Sequence, residues 1–322
     1  MKHKQLISFL VALSFAGALS AVAQTYPNKP VHVIVPYPPG GTVDVVSRKV
    51  SQQLNLQTGQ PFVVENKPGA TGTIGALQVA RSTPNGYTLM ANDLTYSMLP
   101  HVFKSLPWDY ERDLVPVTTI LYTPYALVVN AKAPFKSLQE LIAHARANPG
   151  ALTFGSGGPG SGPHFSFEAF MLAANVELRH IPYKGGGDSL TGLIAGQIDA
   201  LMLSTPMLIS QAKGGRIRLL GVSGNRRVPA LPEVPTFPEA GLKGFGIINF
   251  LGWWAPKGTP SNVFTTLQSE MVKALETADM KAFLESQASE PGGAKSDAFA
   301  KLVADTAKMW GPVAARAKIE KQ

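Results

Sequence analysis

The chain has 322 residues, no cysteine, and 29 Lys and Arg against 21 Asp and Glu, for a formal charge of +8. The missing cysteine excludes disulfides, thiol nucleophiles and a lipid-modified N-terminal Cys. The basic residues are scattered, with Arg226-Arg227 the only adjacent arginine pair, and neither a basic helix nor an aromatic–basic array occurs, so no nucleic-acid partner is expected.

In chain order, residues 1–23 read as a secretory signal. Lys2 and Lys4 form a basic start, Leu6 to Leu19 an apolar run, and Ala21-Val22-Ala23 a small-residue cleavage site before Gln24. The run is short for the ~20 residues of a membrane span, so cleavage after Ala23 is expected, which lowers the charge to +6. The mature protein is then exported, either to the periplasm of a Gram-negative bacterium or to the medium. No other stretch is apolar and charge-free for long enough to span a bilayer. The remaining length exceeds one ordinary core, which predicts two α/β lobes.

Val31 to Val35 is a β-branched run of the buried parallel-strand type, stopped by Pro38-Pro39-Gly40-Gly41. Val43, Val46, Val50 and Leu54 then recur at helical spacing. A strand therefore runs through a glycine turn into a helix N-terminus, whose amides lack intrahelical partners and carry about half a positive charge. This is an anion cradle. Val63 to Glu65 is a strand, Ile74 to Arg81 a helix, and Tyr87 to Ala91 a strand that delivers Asn92, Asp93 and Thr95 to the carboxyl edge of the sheet, where ligands of open α/β sheets bind.

Tyr125 to Asn130 is a strand crossing into a second lobe, and Ser137-Leu138-Gln139-Glu140 a capping box. Leu152 to Phe154 leads into a second glycine loop, Gly155 to Gly162, and then a helix, repeating the first architecture. The two helix starts are expected to face each other across a cleft. A nucleophile elbow needs Gly-x-Ser-x-Gly and a phosphate loop needs a terminal Gly-Lys-Ser/Thr; neither pattern is present, which disfavours a secreted serine hydrolase. His164 is expected to hydrogen-bond the loop. Arg179 to Pro182 is a strand, Asp188 or Ser189 is placed to cap the next helix, and Ile198 to Leu203 is a strand ending at Ser204-Thr205. Ile217 to Val222 follows. Pro229 to Pro238 reads as a surface connection, Phe245 to Ala255 as a return to the first lobe with Trp253 and Trp254 in packing roles, and Val263 to Leu275 and Phe299 to Val313 as closing helices. No histidine or carboxylate spacing marks a metal site.

Tyr37-Pro38-Pro39-Gly40-Gly41-x-x-Asp44 resembles the Phe-Pro-x-Gly-Gly-x-x-Asp opening of the receptors of tripartite tricarboxylate transporters, the Bug and TctC proteins. Val64 to Ala70, Pro84 to Leu89, Ser156 to Ser161 with His164 and Glu168, Pro182 to Gly185, Pro235-Thr236 with Glu239-Ala240-Gly241, and Ala255 to Pro260 extend the likeness over essentially the whole mature chain. The resemblance implies a type II periplasmic binding fold that closes on its ligand. It places lobe 1 at 24–124 and 247–322 and lobe 2 at 125–246, joined by a two-strand hinge.

The resemblance also implies a non-enzymatic solute receptor, without cofactor, metal or nucleic acid. It is expected to be a monomer that hands a small carboxylate to a membrane permease or, alternatively, docks on a sensor kinase. The ligand is left as a di- or tricarboxylate, an acidic amino acid or an aromatic acid. By the same resemblance the cradle falls on Gly40, Gly41, Thr42, Ser156, Gly160 and Ser161, with Gly157 in the same loop, and Asp44 and His164 hold the loops. Tyr37 (for Phe), Pro39 (for Ala), Ser204 and Thr205 (for Phe-Asp), with Asn92, Asp93, Thr95 and Tyr183, complete the expected site.

Overall fold

The computed structural model describes residues 26–317, 319 and 321. The expected signal sequence and cleavage site lie outside the described residues, among which no helix is long and apolar enough to cross a membrane.

Among the described residues ten strands form one continuous sheet whose main path runs β2 (Phe62–Asn66), β1 (Val31–Val35), β3 (Thr88–Asp93), β9 (Ile248–Pro256), β4 (Leu114–Asn130), β7 (Ala200–Ser204), β5 (Thr153–Ser156), β6 (Arg179–Pro182). β1 (Val31–Val35) pairs in parallel with β2 (Phe62–Asn66) and β3 (Thr88–Asp93). Parallel neighbours need a crossover, and α1 (Thr42–Thr58) supplies the first, burying Val43, Val46, Val50 and Leu54 on the sheet. It ends at Gly59, which takes the left-handed conformation and donates its N–H to Asn55 O. The short α2 (Thr73–Ala80) leads into β3.

β4 (Leu114–Asn130) is the spine. Its residues 114–124 pair with β9 (Ile248–Pro256), while residues 125–129 pair with β7 (Ala200–Ser204) and residues 126–130 with β8 (Ile217–Val222), all antiparallel. One strand therefore belongs to both halves of the sheet. β5 (Thr153–Ser156) pairs in parallel with β6 (Arg179–Pro182) and β7, with α4 (Gly162–Ala174) crossing between β5 and β6. Before them, α3 (Leu138–Ala147) starts at Ser137, whose hydroxyl accepts from Glu140 N, while Glu140 reaches back to Lys136 N.

β9 carries neighbouring indoles to opposite faces, as the two-residue period of a strand requires. Trp253 joins the core over α1 and α6 (Ser261–Glu276), and Trp254 packs 4.7 Å from Phe299 in the other core. Phe299 belongs to α8 (Ser296–Arg316), whose far end sets Trp310 against Phe165 of α4, so this helix braces both halves of the sheet.

Two local expectations fail. Neither Asp188 nor Ser189 caps α5 (Gly186–Ile194): the cap is Gly185 without a side-chain bond, and the Ser189 hydroxyl instead donates to Gly186 O. The segment 229–238 is not merely a surface connection. Leu231, Val234 and Phe237 are buried and Thr236 bridges to Val222, because the prolines that break the periodicity leave apolar side chains free to turn inward. Helix α7 (Ala278–Ser286), capped by Thr277, and the two-residue strand β10 (Glu290–Pro291) were not anticipated.

Candidate ligand site

The carboxyl ends of β1, β3, β5 and β7 meet around a cavity of about 740 Å³, within the usual range of small-molecule sites. Its first wall is the β1–α1 loop. Gly40 sits at φ +87°, where a side chain is strained, and gives its amide to Asp44 Oδ2 at 2.9 Å. Asp44 Oδ1 accepts from Arg48 Nε at 3.0 Å and Asn66 Nδ2 at 2.9 Å. Burial pushes the Asp44 carboxyl up, yet these hydrogen bonds outweigh it and hold the group below its usual range. Asp44 thus fixes the loop and does not line the cavity. Gly41 then starts α1 with no side-chain cap, and Gly41 and Thr42 face the cavity.

The β5–α4 loop is built differently. Ser161 caps α4 by accepting from His164 N, and its hydroxyl donates to Gly158 O at 2.7 Å. Gly158 N donates to Ser156 Oγ, Gly160 N to His164 Nδ1, Ser161 N to Gly158 O and Gly162 N to Thr95 Oγ1. The loop's amides are largely consumed by the protein itself. Gly157 and Ser161 reach the cavity, but Gly160 does not: its amide is taken and its Cα lies against Val102.

Ser156 is fully buried and bonded to His180 Nε2 at 2.6 Å. His180 stacks on His164 at 4.0 Å between centroids, and burial lowers both rings, to about 4 and about 3. Next to them Glu168 is pushed up to about 7 by burial, with Arg316 opposing. The Ser156–His180 pair resembles half of a hydrolytic dyad, but it lies beneath the loop and does not line the cavity. The Ser161 hydroxyl meets the His164 backbone N–H and Gly158 O, and no imidazole.

An uncapped helix start does face α1 across the cavity, but it is the start of α5. Gly185, Gly186 and Gly187 line the wall beside Lys184. Tyr183, expected in the site, turns away: its ring packs against Gly192 and its hydroxyl reaches Gln197. Thr205 is likewise withdrawn, bonded to Thr123 Oγ1 and Ala288 O.

The floor comes from β3. Asp93 and Thr95 line the cavity, as do Tyr37, Pro39 and Ser204, whereas Asn92 is buried behind them, accepting from the Tyr37 hydroxyl at 2.6 Å and from Asp93 N. The turn Gly69 to Gly72 and Tyr125 also line it and were missed. The only sequence signal for the turn was its pair of flanking glycines. Beside the cavity the halves of the sheet are linked by hydrogen bonds of Thr42 Oγ1 with Ser204 Oγ at 2.9 Å, Gly162 N to Thr95 Oγ1 at 3.1 Å, and Thr71 Oγ1 to Pro159 O at 3.1 Å. These contacts draw the two halves together around the cavity.

A continuous sheet with helices on both faces and a ligand-sized cavity at the strand carboxyl ends defines a periplasmic-binding-protein fold. The chain belongs to the tripartite tricarboxylate transporter receptor family, which matches residues 46–319. It is 33% identical to Protein BugT of Bordetella pertussis, over 95% of this chain and 94% of that protein. Among solved structures, Rpa4515 of R. palustris with adipate superposes with a TM-score of 0.88 at 30% identity, covering 92% of this chain and all of the other. MatC of Rhodopseudomonas palustris with bound malate gives 0.84 at 28%, covering 90% and 100%.

Proposed function

We propose that this protein is a periplasmic receptor that captures a small organic carboxylate between the first turns of α1 and α5 and delivers it to a tripartite tricarboxylate permease. One observation carries the reading: two helix N-termini without side-chain caps, with Lys184 beside one of them, line a single cavity. Relatives solved with adipate and malate hold small dicarboxylates, and the same ligand chemistry suits these walls.

Each helix start stabilises an anion by about 0.3–1 kcal/mol when exposed and up to ~2 when partly buried. Directed hydrogen bonds to a charged group add roughly 1.5–3 kcal/mol each. A micromolar Kd corresponds to about −8 kcal/mol, so three or four such contacts, with burial of the ligand's apolar part, have also to offset the entropy lost on association. In this reading residues 24–124 with 247–322 and residues 125–246 act as lobes that hinge on β4 and β9. Ligand contacts from both lobes supply the differential affinity that closure needs.

The test is calorimetry of the mature protein, unfolded and refolded to strip co-purified ligand, against a panel of organic and amino acids, with X-ray scattering alongside. At least one carboxylate is expected to bind at micromolar Kd or tighter and to compact the protein. Binding of none overturns the reading. Deleting the gene is expected to abolish uptake of that ligand, and undiminished uptake rules out the delivery role.

A further inference from the structure

The charge around the cavity is lopsided. The walls present the helix starts of α1 and α5 with Lys184, which favour anions, and Asp188 at the rim in the first turn of α5, while the floor presents a second carboxyl, Asp93. Asp93 is rigidly placed at the end of β3. Its Oδ1 accepts from Thr95 N at 3.0 Å and lies 3.3 Å from the Tyr37 hydroxyl, which also holds Asn92. Tyr37, a departure from the family pattern, and the Asn92–Asp93–Thr95 loop, placed in the expected site from the sequence, meet here.

The groups acting on Asp93 are Tyr37 and Thr95, neither of them cationic. Burial pushes its carboxyl above the usual range, so the anion bears a desolvation penalty that the protein alone does not offset. An ionised carboxyl offers about four acceptor positions; Thr95 N and the Tyr37 hydroxyl are at Oδ1 and the Thr95 hydroxyl also acts on the carboxyl, which leaves capacity for one more donor inside the cavity. Such a group repels the second carboxylate of a plain diacid. It suits a ligand whose carboxylate sits at the helix starts and whose protonated nitrogen reaches the floor.

We infer that Asp93 is a specificity determinant that selects amino-acid zwitterions over their deaminated analogues. The inference rests on the carboxylate reading above and names the ligand class within it.

The experiment compares matched pairs on the stripped mature protein at pH 7.5 by calorimetry: aspartate with succinate, glutamate with glutarate, leucine with 4-methylpentanoate, phenylalanine with 3-phenylpropanoate. For at least one pair the amino acid is expected to bind about 10- to 100-fold more tightly than its partner, the worth of one charge-assisted hydrogen bond. Asp93→Asn is expected to reduce that ratio to about 3-fold or less, chiefly by weakening the amino acid. If the deaminated member binds as well or better in every pair, or if only amine-free acids such as malate or adipate bind, the role of Asp93 is overturned while the carboxylate reading stands. A ratio unchanged in Asp93→Asn also overturns it, since an un-ionised Asp93 donating to a ligand carboxylate is mimicked by Asn. Binding of no carboxylate of any kind overturns the underlying reading as well. Should the variant not fold, the wild-type ratios decide on their own.

Discussion

The two glycine loops read alike in sequence, strand then glycines then helix, yet they do opposite things. The loop before α1 is braced from behind by a charged Asp44, and its helix start is left without a side-chain cap, facing the cavity. The loop before α4 spends its donors on Ser156, Gly158, Ser161, His164 and Thr95. A helix N-terminus is an anion site only when nothing in the protein already caps it. By that criterion α5, not α4, is the partner of α1.

The sharpest way to break the comparison is Gly160→Ala. Gly160 has φ +76°, and a Cβ there would lie 2.5 Å from Val102. A strained backbone plus overpacking is expected to destabilise the protein by about 2–4 kcal/mol, read as a fall in the denaturant midpoint. A change within ~0.5 kcal/mol would mean that the second loop is not the rigid, self-bonded wall described.

Next in size is a paired contrast in affinity. Gly41 has an extended φ of −77°, and a Cβ there meets nothing closer than Pro38 O at 3.9 Å, so Gly41→Val is expected to keep the fold while crowding the anion. Affinity for the bound carboxylate should drop about 10-fold or more, equivalent to one lost charged hydrogen bond. Ser161→Ala should do the reverse, removing the cap of α4 at about 1 kcal/mol of stability with affinity altered less than about 3-fold. Equal affinity losses would return the second loop to the list of direct ligand contacts.

The braces also differ in charge, and pH separates them. Glu168 behind the second loop is raised to about 7, so its favourable contribution is complete below the unfolded value near 4.5 and is lost as pH rises through about 7. Glu168→Gln is therefore expected to be more stable than the parent at pH 8, by about 1–3 kcal/mol, with the gap closing by about pH 5. His164 and His180 act with the other sign: lowered to about 3 and about 4, they withdraw stability as pH falls below about 6.5. Asp44, held low, keeps its contribution until more acid conditions. Hydrogen exchange should see the second loop loosen before the first on acidification, and the opposite order would refute the assignment.

What was legible in the sequence follows the same physical division. β-branched runs stopped by glycine and proline place β1, β5 and both loops, because those signals are local. The capping box at Ser137 and the indole pair on β9 are local in the same sense. His164 binds the Gly160 amide as the sequence suggested, but the fate of the other groups was not legible: Gly162 N is satisfied by Thr95, in the turn just past β3, and the Ser156 hydroxyl by His180, 24 residues on. Lys184 was visible but indistinguishable from a solvated surface lysine until the fold brought α5 opposite α1. Within 229–238 the prolines masked Leu231 and Phe237, whose burial depends on partners such as Phe245, 4.9 Å from Phe237.

The smallest expected effect bears on closure itself. Thr42 and Ser204 are bonded at 2.9 Å across the cavity, and both line it, so this contact exists only when the halves of the sheet come together around the site. A neutral hydrogen bond of this kind contributes about 0.5–1.5 kcal/mol. Because apparent affinity scales with the fraction of molecules in the competent state, Ser204→Ala should weaken binding about 2- to 10-fold and leave the unfolding midpoint without ligand nearly unmoved. Thr42→Val should do the same, and the double variant should lose no more than either single one, since one bond is removed in each case. Additive losses would mean that each hydroxyl contacts the ligand separately, and the bridge would then belong to recognition rather than to closing.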